Sequence, residues 1–340
     1  MNLLAAFFIS YFFHLGIIWF SKKKRLFLDD QEKRQKVHTR IVPRIGGLGI
    51  FLACVLVVDD PFGRKLLIAA VPAFLAGFFE DLLSNISPKI RLAVISLSGV
   101  LAIALLNAVV IDFEFAQIPW PLAAAFTLLM ISGITNAINI IDGLNGLASG
   151  FSILALVFFS LAAYTAGDSS LALLFCKFGL ATLAFFVLNF PKPYIFLGDS
   201  GAYLLGFTVV ISGISLIMRN PAISSYFPFL VLFYPVFEVL FSMHRRYRKG
   251  VPMMSPDKLH FHTLLFKRTA LSNSASTALL LAANGILCVI GLLFLRQSWV
   301  QIALVLAFIG IYTSAYRSLV RFKTRRVTEG TKRSPSPRVS

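Results

Sequence analysis

The chain has 340 residues, 57% of them hydrophobic, with 34 Phe and a formal net charge of +17. A mean hydropathy of +0.80 is more than a soluble domain sustains, so a water-soluble fold is excluded. In such a chain the basic excess points to membrane-flanking loops and not to nucleic acid.

Apolar blocks long enough to cross about 30 Å of hydrocarbon recur along the chain. They predict helices over 3–20, 45–58, 65–83, 91–111, 121–141, 150–166, 171–190, 201–218, 224–243, 276–295 and 299–318. The second block is short and Gly-rich, and without it the count is ten. Period-2 alternation is absent, which argues against a barrel, the other architecture that crosses lipid. The expected fold is therefore an all-α, polytopic integral membrane protein of about eleven spans. Residues 1–318 form a single transmembrane domain, and the polar, basic 319–340 form a disordered tail. The first block ends in Lys22-Lys23-Lys24-Arg25 with no small-residue cleavage site, and reads as a retained span. Cys54, Cys176 and Cys288 all fall inside apolar blocks, so neither a disulfide framework nor a zinc site is expected.

Charge orients this array. With eleven spans, the odd-numbered connections share one face. Every Lys and Arg except Arg64, Lys65, Lys177, Arg219 and Arg296 falls on those connections or the C-terminal tail. The bias predicts an outside N-terminus, a cytoplasmic C-terminus and contact with membrane lipids.

Four polar stretches fall on the cytoplasmic face by this parity. Glu80 and Asp81 close the third span. Asn136, Asn139, Asp142 and Asn145 close the fifth. Asp199 opens the eighth, and Asp257, Lys258, His260 and His262 follow the ninth. The opposite loops carry Asp59, Asp60, Asp112 and Glu114 without flanking Gly, Asn or His, and read as solvated charges. His14, inside the first span, reads as a packing residue.

Carboxylates gathered at one membrane edge can hold a hard cation such as Mg²⁺, or Mn²⁺, which keeps phosphate oxygens in its shell. The Asp199-Ser-Gly helix start offers free N–H groups to an anion. Asn136 and Asn139 supply donors and acceptors suited to a sugar or a base. Lys89, Arg91 and Lys258 add phosphate-binding charge, and His260 and His262 can donate to phosphate or move protons. The composite predicts metal-assisted phosphoryl transfer at the cytoplasmic surface.

Five stretches, in order, carry a resemblance: KVHTRIVPRIGGLGIF, GFFEDLLSNISPKIRL, NAINIIDGLNGLASG, FLGDSGAYLLGF and SPDKLHFHTLL. Together they resemble the polyprenyl-phosphate N-acetylhexosamine-1-phosphate transferases, glycosyltransferase family 4. That family includes the phospho-N-acetylmuramoyl-pentapeptide transferase of cell-wall synthesis. The resemblance implies a UDP-N-acetylhexosamine donor, a polyprenyl (undecaprenyl) phosphate acceptor, UMP release and a bacterial inner-membrane location. By position, it implies catalytic roles for Glu80, Asp81, Asp142, His260 and His262. Asp199 would hold the metal, with Asp81 organising the acceptor or the metal. His38, Arg44, Lys89, Asn136, Asn139, Asn145, Phe196 and Lys258 would bind substrate, with the Phe196 ring stacking on uracil.

Glu80 replaces the first acid of the family's usual Asp-Asp pair, and Asn145 stands where many relatives carry Asp. The histidine loop is sparser than in some branches, which favours GlcNAc or a derivative over a pentapeptide-linked sugar. The expected role is to start a lipid-linked surface polysaccharide, such as the lipopolysaccharide O-antigen. A multi-span transporter and an inactive scaffold of the same fold are the competing readings, and a homodimer is left open.

Overall fold

The computed structural model describes residues 3–24, 42–252, 257 and 259–331, with only the backbone from 322 onward. These residues form α1 (Leu3–Lys24), α2 (Gly46–Val57), α3 (Pro61–Leu83), α4 (Pro88–Leu106), α5 (Trp120–Ile141), α6 (Leu147–Thr165) and α7 (Ser169–Asn189). They continue as α8 (Gly198–Arg219), α9 (Tyr226–Val231), α10 (Phe233–Arg248), α11 (Phe261–Arg268), α12 (Asn273–Leu293) and α13 (Ser298–Thr331). Among the described residues there is no strand, only two isolated bridges, and nine helices are long and apolar enough to span a bilayer. The all-α, polytopic architecture expected from the sequence is found.

The starts of several helices are written locally. Asp60 and Ser87 accept the Gly63 and Ile90 N–H groups, and Pro61 and Pro88 follow directly in the first turn. Asp168 and Ser272 cap α7 and α12 in the same way. Pro72 lies inside α3, where it interrupts the backbone ladder. The neighbouring Ala73 N–H is taken by Ser98 Oγ of α4 at 2.8 Å, which satisfies a donor that lipid could not.

Two predicted spans differ from expectation. The block at 45–58 yields α2, only 12 residues and so about 18 Å long. The block at 224–243 is cut at Leu232 into α9 and α10. Pro235 has no N–H for the Val231 carbonyl and its ring crowds that turn, so the helix restarts at Phe233.

Contacts fix the direction of each helix. Ser96 of α4 meets Ser132 of α5 at 3.0 Å, while Thr127 caps Val110 beyond the α4 end, so the two run antiparallel. Ser10 and His14 of α1 meet Ala181 and Phe185 of α7 in register, so these run parallel. His14 packs in the interior, with Nε2 2.9 Å from the Gly46 carbonyl. At one end lie the start of α4 and of α8 and the finish of α3 and α5. At the other end, Arg219 pairs with Asp168, and Glu114 receives Ser225 and Ser298.

At the centre is α8, 89% of whose apolar window is buried, against 17% for α1 and α13. Close approach to it requires glycine. A Cβ on Gly77 of α3 would sit 2.3 Å from the Asp199 backbone, and one on Gly47 of α2 would sit 2.2 Å from Gly201. The N-terminus of α8 is thus pressed between α2 and α3.

Candidate functional site

The site begins at the first turn of α8. Asp81, at the end of α3, points its fully buried carboxylate at that turn. It accepts the Asp199 N–H at 2.8 Å, the Ser200 N–H at 2.9 Å and the Ser200 hydroxyl at 2.7 Å. A side chain from another helix therefore does the work of an N-cap, and the positive end of α8 stabilises its charge. Gly198 permits this approach. Its φ is +75°, and a Cβ there would lie 2.5 Å from the Asp81 carboxylate.

Asp199 faces two guanidinium groups. Its Oδ1 takes Arg44 Nη2 at 2.6 Å, and its Oδ2 takes Arg91 Nη1 at 2.9 Å. The same Arg91 nitrogen is 3.7 Å from Glu80 Oε1, and Arg44 Nε is 3.6 Å from Asp81 Oδ1. Glu80 Oε2 accepts the Ile86 N–H at 2.9 Å, which folds the α3–α4 turn back on the acid. Arg44 is placed by a short parallel bridge to Phe196. Phe196 N–H donates to Pro43, and Gly46 and Gly47 N–H donate to Phe196 and Leu197 at 2.9 and 3.0 Å. Three carboxylates and two arginines thus form one cluster with formal charge −1. The buried Arg91 Nε–H has no acceptor among the described residues.

A second group of polar residues forms at the same end, around the finish of α5. Asp142 ends that helix, its N–H 3.3 Å from the Asn139 carbonyl. The turn that follows is held from behind: Gly146 N–H donates to Asn189 Oδ1 at 2.6 Å, and Asn189 Nδ2 donates to the Ile195 carbonyl at 2.8 Å. Buried Asn189 therefore ties the Asp142 turn to the loop leading into Asp199. Asn145 donates its N–H to Asn273 and accepts Thr277 at its carbonyl.

His260 and His262 lie against this turn, at the start of α11. Their rings are parallel, with centroids 5.6 Å apart. His262 is buried, and a Cβ on Gly143 would lie 2.5 Å from its Nε2. Burial pushes the His262 imidazole down to about 4, against the upward pull of Glu238. His260 Nδ1 lies 3.0 Å from Glu238 Oε1. The loop before it is bolted down by Asp257, which pairs with Arg245 and accepts the Ser242 hydroxyl and the Leu259 N–H. Burial works to raise the Asp257 carboxyl, but these donors and the Arg245 charge hold it below the usual range.

The structure therefore joins Arg44, Asp81 and Asp199 directly and Glu80 through Arg91, with the Phe196 backbone supporting Arg44. Asp142 and Asn145 lie at the α5–α6 turn, with His262 against Gly143 and His260 stacked on His262. Asn136 and Asn139 stand half-buried on the last two turns of α5. Lys89 is exposed, one turn edge away from the cluster that Arg91 enters. His38 and Lys258 lie outside the described residues. Two participants lie beyond the sequence-predicted set: Asn189 and Glu238. An acid at position 238, deep in an apolar block, was the signal available for the latter.

Residues 64–217, which carry Glu80, Asp81, Arg91, Asp142 and Asp199, match the family model described as glycosyl transferase family 4. The chain is 30% identical over 294 residues to a probable undecaprenyl-phosphate N-acetylglucosaminyl 1-phosphate transferase of Bacillus subtilis, covering 82% of this chain and 80% of that one. It is 30% identical over 258 residues to an undecaprenyl-phosphate alpha-N-acetylglucosaminyl 1-phosphate transferase of Thermotoga maritima, covering 76% and 79%. With the protein of the same description from Yersinia pestis, identity is 28% over 322 residues, covering 88% and 87%. The chain belongs to glycosyl transferase family 4, the polyprenyl-phosphate N-acetylhexosamine-1-phosphate transferase family whose motifs its sequence carries.

Proposed function

We propose that this chain transfers the sugar 1-phosphate of a UDP-linked N-acetylhexosamine, GlcNAc or a derivative, to polyprenyl phosphate of the undecaprenyl class. UMP leaves, and a lipid-linked pyrophosphoryl sugar remains to start a surface polysaccharide. The observation that carries this reading is the pairing of Asp199 with both Arg44 and Arg91 at the mouth of α8. Two guanidinium groups held by one carboxylate suit a substrate with two phosphates. The distribution of Lys and Arg supports a cytoplasmic site, an outside N-terminus and a bacterial inner-membrane location.

In the reaction, an oxygen of the acceptor phosphate attacks the sugar-bearing phosphorus. The bond from that phosphorus to the bridging oxygen breaks, and UMP carries the oxygen away. Arg44 and Arg91 would orient the diphosphate and offset its charge, with Arg91 Nε–H as a further donor. Glu80, beside Arg91, is placed to take a proton from the acceptor phosphate. Asp81 keeps the α8 N-terminus, and so Asp199, in register. In this reading Phe196, Asn139 and Asp142 serve the nucleotide.

Among the described residues no three Asp, Glu, His or Cys side chains converge closely enough to hold a metal by themselves. The donor set nonetheless fits Mg²⁺, which takes one or two carboxylates and completes its shell with water and phosphate. Asp199 would hold it once the diphosphate has drawn Arg44 and Arg91, which engage both its oxygens here, to itself. Asp81, with both oxygens engaged by α8, is less suited. When bound, Mg²⁺ or Mn²⁺ would supply neutralising charge to the diphosphate.

The test is direct. Purified protein is incubated with UDP-[³H]GlcNAc, undecaprenyl phosphate and Mg²⁺, and UMP and labelled lipid are measured. Turnover that stops with EDTA and returns with Mg²⁺ is expected. No turnover with any UDP-N-acetylhexosamine would remove the transferase reading.

A further inference from the structure

Glu238 lies on α10 within the stretch FYPVFEVLF, and its side chain is 1% exposed. A carboxylate in such surroundings is costly unless donors surround it. Three do. Oε1 accepts the His260 imidazole and the Phe261 N–H, both at 3.0 Å, and Oε2 accepts the Tyr312 hydroxyl at 2.7 Å. The donors come from the loop before α11, from the first turn of α11 and from α13. One buried acid therefore fixes both the backbone that carries His260 and the ring itself.

We propose that Glu238 is the positioning residue for His260. A carboxylate at Nδ1 requires a proton on that nitrogen, so the ring is held as the tautomer whose Nε2 is left for substrate. The inference rests on the transferase reading, in which His260 serves the phosphates. Other titratable groups surround the pair: His262 stacks on the His260 ring, Asp257 stands two residues before Leu259, and Tyr234, Tyr312 and Tyr316 flank Glu238. None of these presents an oxygen to His260 Nδ1. The Arg245 bonds to the Leu259 carbonyl and the Tyr316 hydroxyl hold the loop from its other side. Fixing the ring is thus left to Glu238.

The experiment is a double-mutant cycle in the full-length, purified protein. Glu238→Gln keeps the shape of the side chain and is expected to lower kcat by roughly ten- to a hundredfold, with KM for both substrates within about twofold. Glu238→Gln combined with His260→Gln should be no slower than His260→Gln alone, because a residue acting through His260 then has nothing to act on. Tyr312→Phe, which disturbs only Oε2, should show a smaller loss with the same dependence on His260. It serves as the second variant if Glu238→Gln does not fold. Unchanged kcat in these variants, or losses that multiply in the double mutant, would overturn the inference. A readout independent of turnover is the ¹⁵N NMR spectrum of histidine-labelled protein. The expected His260 signal is that of an Nδ1–H tautomer, lost in Glu238→Leu, which leaves no acceptor at Nδ1. An Nε2–H tautomer in the unaltered protein would overturn the inference even in an inactive sample, whereas absence of turnover alone strikes only the transferase reading.

Discussion

The Asp81 carboxylate closes the N-terminus of the helix that carries Asp199, receiving the Asp199 backbone N–H at 2.8 Å. The cap and the Arg44–Asp199–Arg91 cluster are thereby joined: α8 starts where it does because α3 supplies the missing acceptor. Asp81→Asn would place an amide N–H₂ against one of the α8 donors. It should destabilise the protein by about 2 kcal/mol and lower turnover as Asp199 loses its register. Thermal unfolding in detergent measures the first effect, and an unchanged Tm would refute the cap.

Gly198→Ala should be more damaging still. The position has a left-handed φ, and the new Cβ would meet the Asp81 carboxylate at 2.5 Å. The expected result is poor yield of folded protein, read by gel filtration in detergent. A well-folded, active Gly198→Ala protein would show that the Asp81 contact is not formed.

Asp199→Asn keeps the shape of the side chain but removes the charge that Arg44 and Arg91 share. Turnover should fall at least a hundredfold with membrane insertion intact. Retained activity would refute the assignment of Asp199 to the metal.

The two basic residues of the α4 start should separate cleanly. Arg91→Ala should cost a hundredfold or so in kcat/KM, because its guanidinium bridges Asp199 and Glu80. Lys89→Ala, on the exposed side, should cost less than about threefold. Equal losses would place the phosphates nearer Lys89.

Acid should unfold the protein partly through His262. Its folded value of about 4 lies below the unfolded value of 6.5, so the unfolded chain binds more protons between them. Stability is complete above about 6.5 and is lost as pH falls through that window, by roughly 2–3 kcal/mol at its foot. His262→Gln should flatten the fall of Tm between pH 6.5 and 4. An equally steep fall in the variant would assign the effect elsewhere.

Much of the site was legible in the sequence for a physical reason. Asp81 and Asp199 end and begin apolar blocks, where charge is expected only at an interface or for a purpose, and parity put them on one face. Arg91 and Lys89 read alike in the sequence as candidate phosphate binders. Two residues apart on one helix, they point in different directions, and only packing distinguishes them. Glu238 stands out in the sequence as an acid within an apolar block, but nothing local shows what it serves. Its partners lie 22 and 74 residues away. Asn189 was hidden, since its role is to bridge two turns that are remote in sequence. The break at Leu232 was written in Pro228 and Pro235, but the apolar run around them read as continuous.

The ribosome delivers Asp81 118 residues before Asp199. At about 5–20 residues per second, roughly 6–24 s separate the two. Throughout that interval the third helix is in or near the translocon with an acid whose intended amides have not been made. Water or a lipid headgroup must shelter it until the eighth helix arrives. Biogenesis of this protein thus contains a waiting step, and a nascent chain arrested before residue 199 should expose Asp81 to soluble carboxyl reagents that the finished protein excludes.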